Sequence, residues 1–312
     1  MERKDRIDAF GAVSLIVFSA LLGLNQVVIK LVNDGLQPVF SAGLRSLGAL
    51  VLLYLWMRVF GSGARIEKGT FWGGLGAGTL FGLEFICLFV ALDLTSVARA
   101  SVIFYSMPVW LALMAHALIP GDRLTARKSF GLVLAFVGVA WAILDRSDGA
   151  EGSLAGDLLA LAAAVCWAGI AIFARATPFQ RVEPVMQLFW QVTVSAVLLL
   201  AVSPLFGPFI RDFQPLHAAG LAFQILVIAT GAFLFWLWLL KIYPASGVAS
   251  FSFLSPLFGV GFGWLILGET VGPGLWAALA LVCLGLILIN RAPRGRRPAD
   301  ASGRKGTHRG VS

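Results

Sequence analysis

The stretch FYSMPVWLALMAHALIPGD at residues 104–122 has a second copy in the chain, FLSPLFGVGFGWLILGE at residues 253–269. Each copy carries a proline near its start and ends on a glycine followed by an acid. The proline lies 14 residues before the acid in the first copy and 13 in the second, and a glycine, Gly138 or Gly285, follows each acid after 16 residues. The chain therefore contains an internal repeat.

The repeat also covers the earlier part of each half. Pro38 precedes Arg45 by seven residues, and Pro184 precedes Gln191 by seven. Two further matched pairs are Leu22 with Trp167 and Lys30 with Arg175.

The composition indicates a protein embedded in lipid. Hydrophobic residues fill 59% of the 312 positions, charged residues fill only 13%, and the mean hydropathy is +0.88. Because soluble domains carry about 25% charged residues, a soluble globule is excluded. A membrane-spanning helix needs about 20 apolar residues. We predict spans 1 to 10 at residues 9–33, 38–59, 70–92, 95–119, 127–144, 154–176, 183–206, 216–241, 246–267 and 273–290.

Lysine and arginine are divided unequally between the two ends of the predicted spans. Of the 24, 19 fall on the side of both termini, whereas only Arg146 and Arg211 fall on the other. Lys30, Arg45 and Arg99 lie within spans or at their ends. The positive-inside rule therefore predicts a multi-pass inner (plasma) membrane protein with both termini cytoplasmic.

Five spans per repeat means that the second repeat enters the membrane from the opposite side. The predicted fold is an all-α membrane protein of ten transmembrane helices, in two inverted five-helix repeats around a central cavity. The repeats cover residues 9–144 and 154–290, between an N-terminal tail at 1–8 and a disordered basic tail at 291–312. Inverted repeats with a site near the midplane are typical of alternating-access carriers.

These features together resemble the EamA family of the drug/metabolite transporter superfamily. The resemblance rests on the paired prolines, the Gly-acid elements, the Gly-rich spans 5 and 10, and LLGLNQVVIK at residues 21–30, and it covers residues 9–290. It implies ten helices in two inverted repeats and the export or exchange of small metabolites, frequently amino acids. Asp122 stands where the family usually has Glu, and Ala168 where it usually has Gly.

Glu84 is the only acid near the centre of a predicted span. A charge at the bilayer centre costs about 2.5–3.5 kcal/mol, so this side chain should face the bundle interior or a wet cavity. We predict that it binds a substrate amine or carries a coupling proton. The alternative is a structural acid that is neutral or paired with Arg45, Lys30 or Arg99.

Other deep polar and aromatic residues complete the predicted site. Arg45 is a cation whose counterpart in the second repeat, Gln191, is neutral. It could bind a carboxylate, or its side chain could extend to the outer interface of the membrane instead. Aromatic walls would suit an apolar substrate or a cation, although lipid-facing packing would also explain them. Pro108 and Pro256 free backbone carbonyls and are predicted hinges or cavity walls, with a plain packing kink as the alternative. The predicted substrate-binding residues are Glu84, Asn25, Tyr105, Trp167, Arg45, Gln191, Trp190 and Trp236.

Glycines at four-residue spacing, Gly74-Gly78-Gly82 in span 3 and Gly259-Gly263 in span 9, predict close contacts between helices. The scattered histidines and cysteines predict no metal site, and we expect no cofactor, no enzymatic activity and no nucleic-acid partner. We expect a monomer or homodimer whose basic tail lies on the anionic inner leaflet.

The predicted function is a secondary transporter, an exporter of amino acids or related amphiphilic compounds. A sugar-phosphate or nucleotide-sugar exchanger is the first alternative, although it would need several deep cations. A membrane-embedded enzyme ranks lower because Glu84 has no acid or histidine at its depth.

Overall fold

A computed structural model describes residue 4 and residues 7–60, 68–120, 124–145, 152–249 and 251–290. The predicted tail at 291–312, most of the tail at 1–8, the Gly121-Asp122 element and Arg146 lie outside the described residues.

The described residues contain ten helices long and apolar enough to cross a membrane, which confirms the predicted number. Each predicted boundary lies within two residues of the observed one. Spans 1 to 10 are Ala9–Gly35, Pro38–Phe60, Phe71–Leu94, Val97–Leu118, Ala126–Leu144, Leu154–Ala176, Pro184–Phe206, Pro215–Ile242, Gly247–Leu267 and Pro273–Asn290.

Local chemistry fixes where the spans begin. Spans 2, 7, 8 and 10 each start on a proline, whose fixed φ and missing N–H suit the first helical position. In spans 1, 4, 5 and 6 a side-chain oxygen accepts a hydrogen bond from a backbone N–H of the first turn, a donor that has no acceptor within the helix. These capping residues are Asp8, Ser96, Thr125 and Ser153.

Spans 4 and 9 are interrupted at equivalent places. Span 4 consists of helices Val97–Phe104 and Met107–Leu118, and the second half of span 9 is the helix Leu254–Leu267. Pro108 and Pro256 lie in the first turn of these second helices, just after the break. Their role as hinges remains a prediction.

Span 8 is not a regular α-helix along its whole length. It runs as an α-helix over Pro215–Phe223, a π-helix over Gln224–Ala232 and an α-helix over Phe233–Ile242. Short 3₁₀ helices lie at Pro178–Arg181, before span 7, and at Ser203–Phe206, at its end.

The packing follows the inverted repeat. Spans 2 and 7, 4 and 9, and 5 and 10 each pack against their own repeat counterpart, as elements close to a two-fold axis do. In spans 5 and 10, Gly131 lies against the carbonyl of Gly285, while Gly138 lies against the carbonyl of Ala278. Since Gly138 matches Gly285 and Gly131 matches Ala278 in the repeat, the same contact occurs twice about the axis.

This contact predicts that substitution by alanine affects stability differently at two glycines. A Cβ at Gly285 would lie 2.6 Å from the carbonyl oxygen of Gly131, whereas one at Gly261 would have nothing within 4 Å. We expect Gly285→Ala to lower the unfolding free energy by about 1–3 kcal/mol because overpacked helices must separate. Gly261→Ala should raise it by up to about 1 kcal/mol through helix propensity. Thermal unfolding in detergent measures both, and equal shifts would contradict the close contact.

The predicted glycine contacts of spans 3 and 9 are also present. Gly74, Gly78 and Gly82 lie against the side chains of span 7, and Gly259 and Gly263 lie against span 4 and Glu269. The Glu269 carboxylate accepts hydrogen bonds from Val97 N (2.6 Å) and Ala98 N (2.8 Å), at the start of span 4. The acid of the second repeat thus caps a helix of the first repeat.

Two equivalent junctions between span ends lie on opposite sides of the bundle. We call the side on which span 1 begins the N side and the side on which it ends the far side. On the far side, Ser153 N donates to Leu94 O at 3.0 Å, joining the start of span 6 to the end of span 3. On the N side, Lys4 N donates to Ile242 O at 2.8 Å, joining the start of span 1 to the end of span 8.

The two junctions carry different side chains. In the far-side junction, the guanidinium of Arg99 pairs with the carboxylate of Asp157 at 2.8 Å, and both side chains are almost fully buried. In the N-side junction, Tyr243 Oη donates to Asp8 Oδ1 at 2.6 Å, and the partly exposed Lys4 ammonium pairs with the same carboxylate. These hydrogen bonds hold the pKa of Asp8 well below its usual range.

Candidate functional site

A cavity of about 80 Å³ lies at the centre of the bundle, between spans 1, 2, 3, 4, 6, 7 and 8. Its polar lining residues are Asn25, Gln26, Arg45, Glu84, Tyr105 and Gln191. Six of the eight predicted substrate-binding residues therefore lie together at this cavity: Asn25, Arg45, Glu84, Tyr105, Trp167 and Gln191. Their role in binding remains a prediction.

Glu84 places a carboxylate in the cavity, and one of its oxygens has no hydrogen-bond partner among the described residues. The side chain is only 4% exposed, and no described residue hydrogen-bonds its Oε2 atom. The structural alternative was an acid that is neutral or paired with Lys30, Arg99 or Arg45, and among the described residues no cation lies within 4 Å of Glu84. Lys30 instead donates to Leu92 O (3.1 Å) and Thr95 O (2.8 Å) at the end of span 3.

Arg45 lies inside the bundle, 3% exposed, and does not reach the outer interface. Its guanidinium carbon lies 4.6 Å from the ring centroid of Phe85 and 5.8 Å from that of Phe89, which stabilises the cation through the ring quadrupoles. Its Nε has no hydrogen-bond partner among the described residues. Its repeat counterpart Gln191 also lines the cavity, so the two-fold relation places one charged and one neutral donor there.

Two amides of span 1 add acceptors to the cavity. Asn25 and Gln26 are buried, and within the described part of the chain neither Asn25 Oδ1 nor Gln26 Oε1 accepts a hydrogen bond. Gln26 Nε2 donates to Tyr105 Oη at 3.5 Å, and Tyr105 Oη donates to Leu22 O at 2.9 Å. This chain of bonds connects span 4, at its break, to span 1.

Aromatic rings form the apolar wall. The ring of Trp167 stacks on Phe104 with centroids 5.0 Å apart and planes 16° apart, and meets Tyr105 edge-on at 6.3 Å. Phe81, Phe85 and Phe233 also line the cavity. The site therefore combines an acid, a base, amide groups and an aromatic surface.

Trp190 and Trp236 lie away from the cavity lining. Trp190 precedes Gln191, and since neighbouring helical residues point about 100° apart, it faces span 3. There it packs on Gly74 and on Phe71, whose ring centroid is 5.6 Å away. Trp236 stacks on Phe18 of span 1 at 4.7 Å.

Gln26 and Phe85 line the cavity but were not among the eight predicted substrate-binding residues. Gln26 follows Asn25, and its depth in an apolar span is the same signal that selected Asn25. Phe85 is one of 24 phenylalanines, so only its contact with Arg45 distinguishes it. Among the described residues, no group of three or more His, Cys, Asp or Glu side chains could hold a metal ion.

Ten apolar helices in two inverted repeats, with a polar cavity between the halves, are typical of membrane transporters. The model of the EamA-like transporter family matches the chain twice, over residues 9–144 and 154–291. The chain therefore belongs to the EamA-like transporter family, which confirms the predicted resemblance.

Several relatives are similar along nearly their whole length. The "Probable amino-acid metabolite efflux pump" of Salmonella typhimurium is 29% identical, over 97% of this chain and 100% of its own. The protein of the same name in Escherichia coli is 27% identical, over 92% and 95%. The "Uncharacterized transporter YoaV" of Bacillus subtilis is 24% identical, over 88% and 94%. One solved crystal structure, 23% identical, matches with a TM-score of 0.61 over 89% of this chain and 96% of its own, a likeness that shows the fold.

Proposed function

We propose that the protein exports amino acids or related amphiphilic metabolites by alternating access, with the central cavity as the binding site. The observation that carries this proposal is the set of buried polar atoms without partners among the described residues: Glu84 Oε2, Arg45 Nε, Asn25 Oδ1 and Gln26 Oε1. Buried polar groups are normally hydrogen-bonded, so acceptors and a cationic donor in one cavity indicate a ligand that carries both charges.

The cavity chemistry suits a zwitterion. A substrate ammonium would bind the Glu84 carboxylate and the amide oxygens of Asn25 and Gln26. A substrate carboxylate would bind Arg45, whose guanidinium is well suited to carboxylates. The apolar part of the substrate would lie against Trp167 and its neighbouring rings, where a buried aromatic surface supplies affinity.

The relatives support the same substrate class. Two of them are named as probable amino-acid metabolite efflux pumps, and both align along nearly their full length. Outward transport by this chain is proposed on the strength of those names.

The size of the cavity supports a conformational cycle. At about 80 Å³ it is smaller than ligand pockets of about 300–1,000 Å³. Substrate binding therefore requires the repeats to move apart on one side, as rocking of inverted repeats allows.

The competing functions find less support in the cavity lining. A sugar-phosphate exchanger needs several cations for phosphate, and Arg45 is the one cation among the residues that line the cavity. An enzyme needs convergent catalytic groups, and the described lining holds one acid and no histidine or cysteine. We therefore favour a carrier over an enzyme.

We propose that the protein lies in the inner membrane with both termini in the cytoplasm. The N side of the bundle is then the cytoplasmic side. The excess of Lys and Arg on that side supports this orientation. The basic segment 291–312, outside the described residues, would then lie against the anionic inner leaflet. A monomer or homodimer is proposed as the assembly.

The experiment that tests this function is counterflow exchange in proteoliposomes, with and without a pH gradient. The panel should contain an amino acid with an apolar side chain, the amine that lacks its carboxylate, the acid that lacks its amine, and a sugar phosphate. We expect saturable exchange of the amino acid and none of the sugar phosphate. Absence of amino-acid exchange, together with turnover of a lipid or transport of the sugar phosphate, would contradict the proposal.

Arg45 should select for the substrate carboxylate. Arg45→Gln copies the residue that the second repeat carries at the same position, and so keeps a polar group there. We expect amino-acid exchange to fall about tenfold or more, as for loss of a charged hydrogen bond, while exchange of the matching amine changes little. Initial rates for the two compounds measure this, and an equal fall for both would argue against a role in selection.

A further inference from the structure

Span 8 carries a buried amide that is not among the residues lining the central cavity. The Gln224 side chain is fully buried, and neither its amide oxygen nor its amide nitrogen has a hydrogen-bond partner among the described residues. Burying an amide without a partner is unfavourable, so this group should find one in another state of the protein.

Gln224 is also the first residue of the π-helix Gln224–Ala232. Long π-helices are rare, and shorter π segments occur frequently at functional sites. Ile228 of this segment lines the central cavity, and Ala229 lines a smaller cavity that also borders Arg45. The π-helix therefore links the buried amide directly to the wall of the binding site.

The contacts of its neighbours place Gln224 between spans 1 and 2. Gly220, one turn nearer the far side, packs against Val28 and Val32 of span 1. The adjacent Ile225 packs against Gly48 of span 2. Because span 8 begins on the far side, Gln224 lies one turn nearer that side than the cavity-lining Ile228.

Another amide oxygen without a hydrogen-bond partner among the described residues lies farther along span 1. Asn33 is 1% exposed, and its Oδ1 accepts no hydrogen bond from the described residues. Its Nδ2 donates to Phe89 O at 2.9 Å. Polar groups thus follow span 1 from Asn25 in the cavity, past the level of Gln224, to Asn33 near the far side.

We propose that Gln224 contacts the substrate carboxylate in the state that opens to the far side, where the π-helix has converted to an α-helix. An α-helix has 3.6 residues per turn, and a π-helix, with i→i+5 bonds, has more. Conversion over nine residues turns one end of the segment relative to the other and directs the Gln224 amide toward the cavity. Its Nε2 then donates to a carboxylate that Arg45 also binds, which extends the site toward Asn33. This inference rests on the proposed function.

The first test compares two leucine variants in proteoliposomes. We expect Gln224→Leu to lower the rate of amino-acid exchange about tenfold, the effect of one lost hydrogen bond to a charged group. The rate of exchange of the matching amine should stay within about threefold of the wild-type rate. Its thermal stability should not fall, because no hydrogen bond is lost in the observed state. Gln187→Leu is the matched control, since the Gln187 amide donates to Phe179 O and Val182 O, both at 3.0 Å. It should lower thermal stability and leave the ratio of the two rates unchanged.

A labelling experiment gives a second readout that does not depend on the rate. A Gln224→Cys variant, in a chain whose three natural cysteines are replaced by alanine, is treated with a membrane-impermeant thiol reagent. We expect labelling to be faster during substrate exchange than without substrate, because the amide position becomes accessible in the far-side state.

The outcomes separate this inference from the function on which it rests. No amino-acid exchange by the wild-type protein would overturn both. Wild-type exchange with an unchanged ratio of rates in Gln224→Leu, or no labelling of Gln224→Cys during active exchange, would overturn the role of Gln224 alone.

Discussion

Glu84→Gln should lower amino-acid exchange by roughly 10- to 100-fold, the range given by losing a hydrogen bond to a charged group. The substitution keeps the size and shape of the side chain and removes only its charge. Because the carboxylate is buried and no described cation lies within 4 Å, the protein should lose no ion pair. We therefore expect unchanged or higher thermal stability together with a severe loss of transport.

Initial rates in proteoliposomes, measured with and without a pH gradient, test this expectation. Glu183→Gln is the matched control, since Glu183 is an exposed acid at the start of span 7. It should leave the rate unchanged. If Glu84→Gln transports at the wild-type rate with the same response to the pH gradient, Glu84 has no part in binding or coupling.

Asp157→Ala should be the most destabilising of the substitutions considered. It leaves the guanidinium of Arg99 buried without its carboxylate, and breaking a buried pair in this way costs about 3–5 kcal/mol. Arg99 also donates to the carbonyl oxygens of Ala142 and of Asp145, so its remaining hydrogen bonds place the loss near the lower value. Thermal unfolding in detergent measures the loss.

Two comparisons test whether burial of the ion pair, rather than pairing alone, causes the loss of stability. Asp93→Ala breaks the Arg211–Asp93 pair, which has a similar distance of 2.7 Å but is partly exposed, and should cost less than about 1 kcal/mol. The double variant Arg99→Met with Asp157→Leu removes both buried charges and should recover most of the lost stability. Equal losses for Asp157→Ala and Asp93→Ala would show that burial of the pair does not govern its contribution.

The fold was predictable because its signals are compositional and periodic. An apolar run of about 20 residues locates a span whatever the order of the side chains within it. The predicted bounds of the spans therefore agree with the observed ones within two residues. The register of the repeat was readable from a few prolines, glycines and acids at fixed spacing. The glycine contact between Gly131 and Gly285, seen again at Gly138, follows from that register.

Part of the site was predictable for a different reason. A polar group deep in an apolar span is costly, so Glu84, Arg45 and Asn25 could be selected by depth alone. Aromatic residues carry no such signal, because a span that is apolar on every face does not show which face is buried. Trp190 and Trp236 were therefore placed at the site, although they pack between helices.

Two other features could not be anticipated from the chain. The choice between i→i+4 and i→i+5 hydrogen bonds in span 8 leaves no mark in a sequence of apolar residues, so the π-helix Gln224–Ala232 was not foreseen. The Arg99–Asp157 pair joins residues of different repeats, and only the packing of spans 4 and 6 brings them together. Gln224 itself was detectable, since a lone glutamine in a long apolar run carries the same signal as Glu84.

The unequal junctions affect the relative free energies of the two conformations that an inverted repeat can adopt. If the two halves of a carrier were identical, its inward-facing and outward-facing forms would be related by the two-fold axis and would have equal free energy. The empty protein would then populate the two forms equally. Here a buried ion pair ties the far side, whereas a partly exposed lysine, aspartate and tyrosine tie the N side. The two halves therefore differ outside the cavity, at these junctions, as well as inside it, at Arg45 and Gln191. In the proposed cycle the net flux would still follow the gradients, while the junction residues would determine which side the empty carrier faces for most of the time.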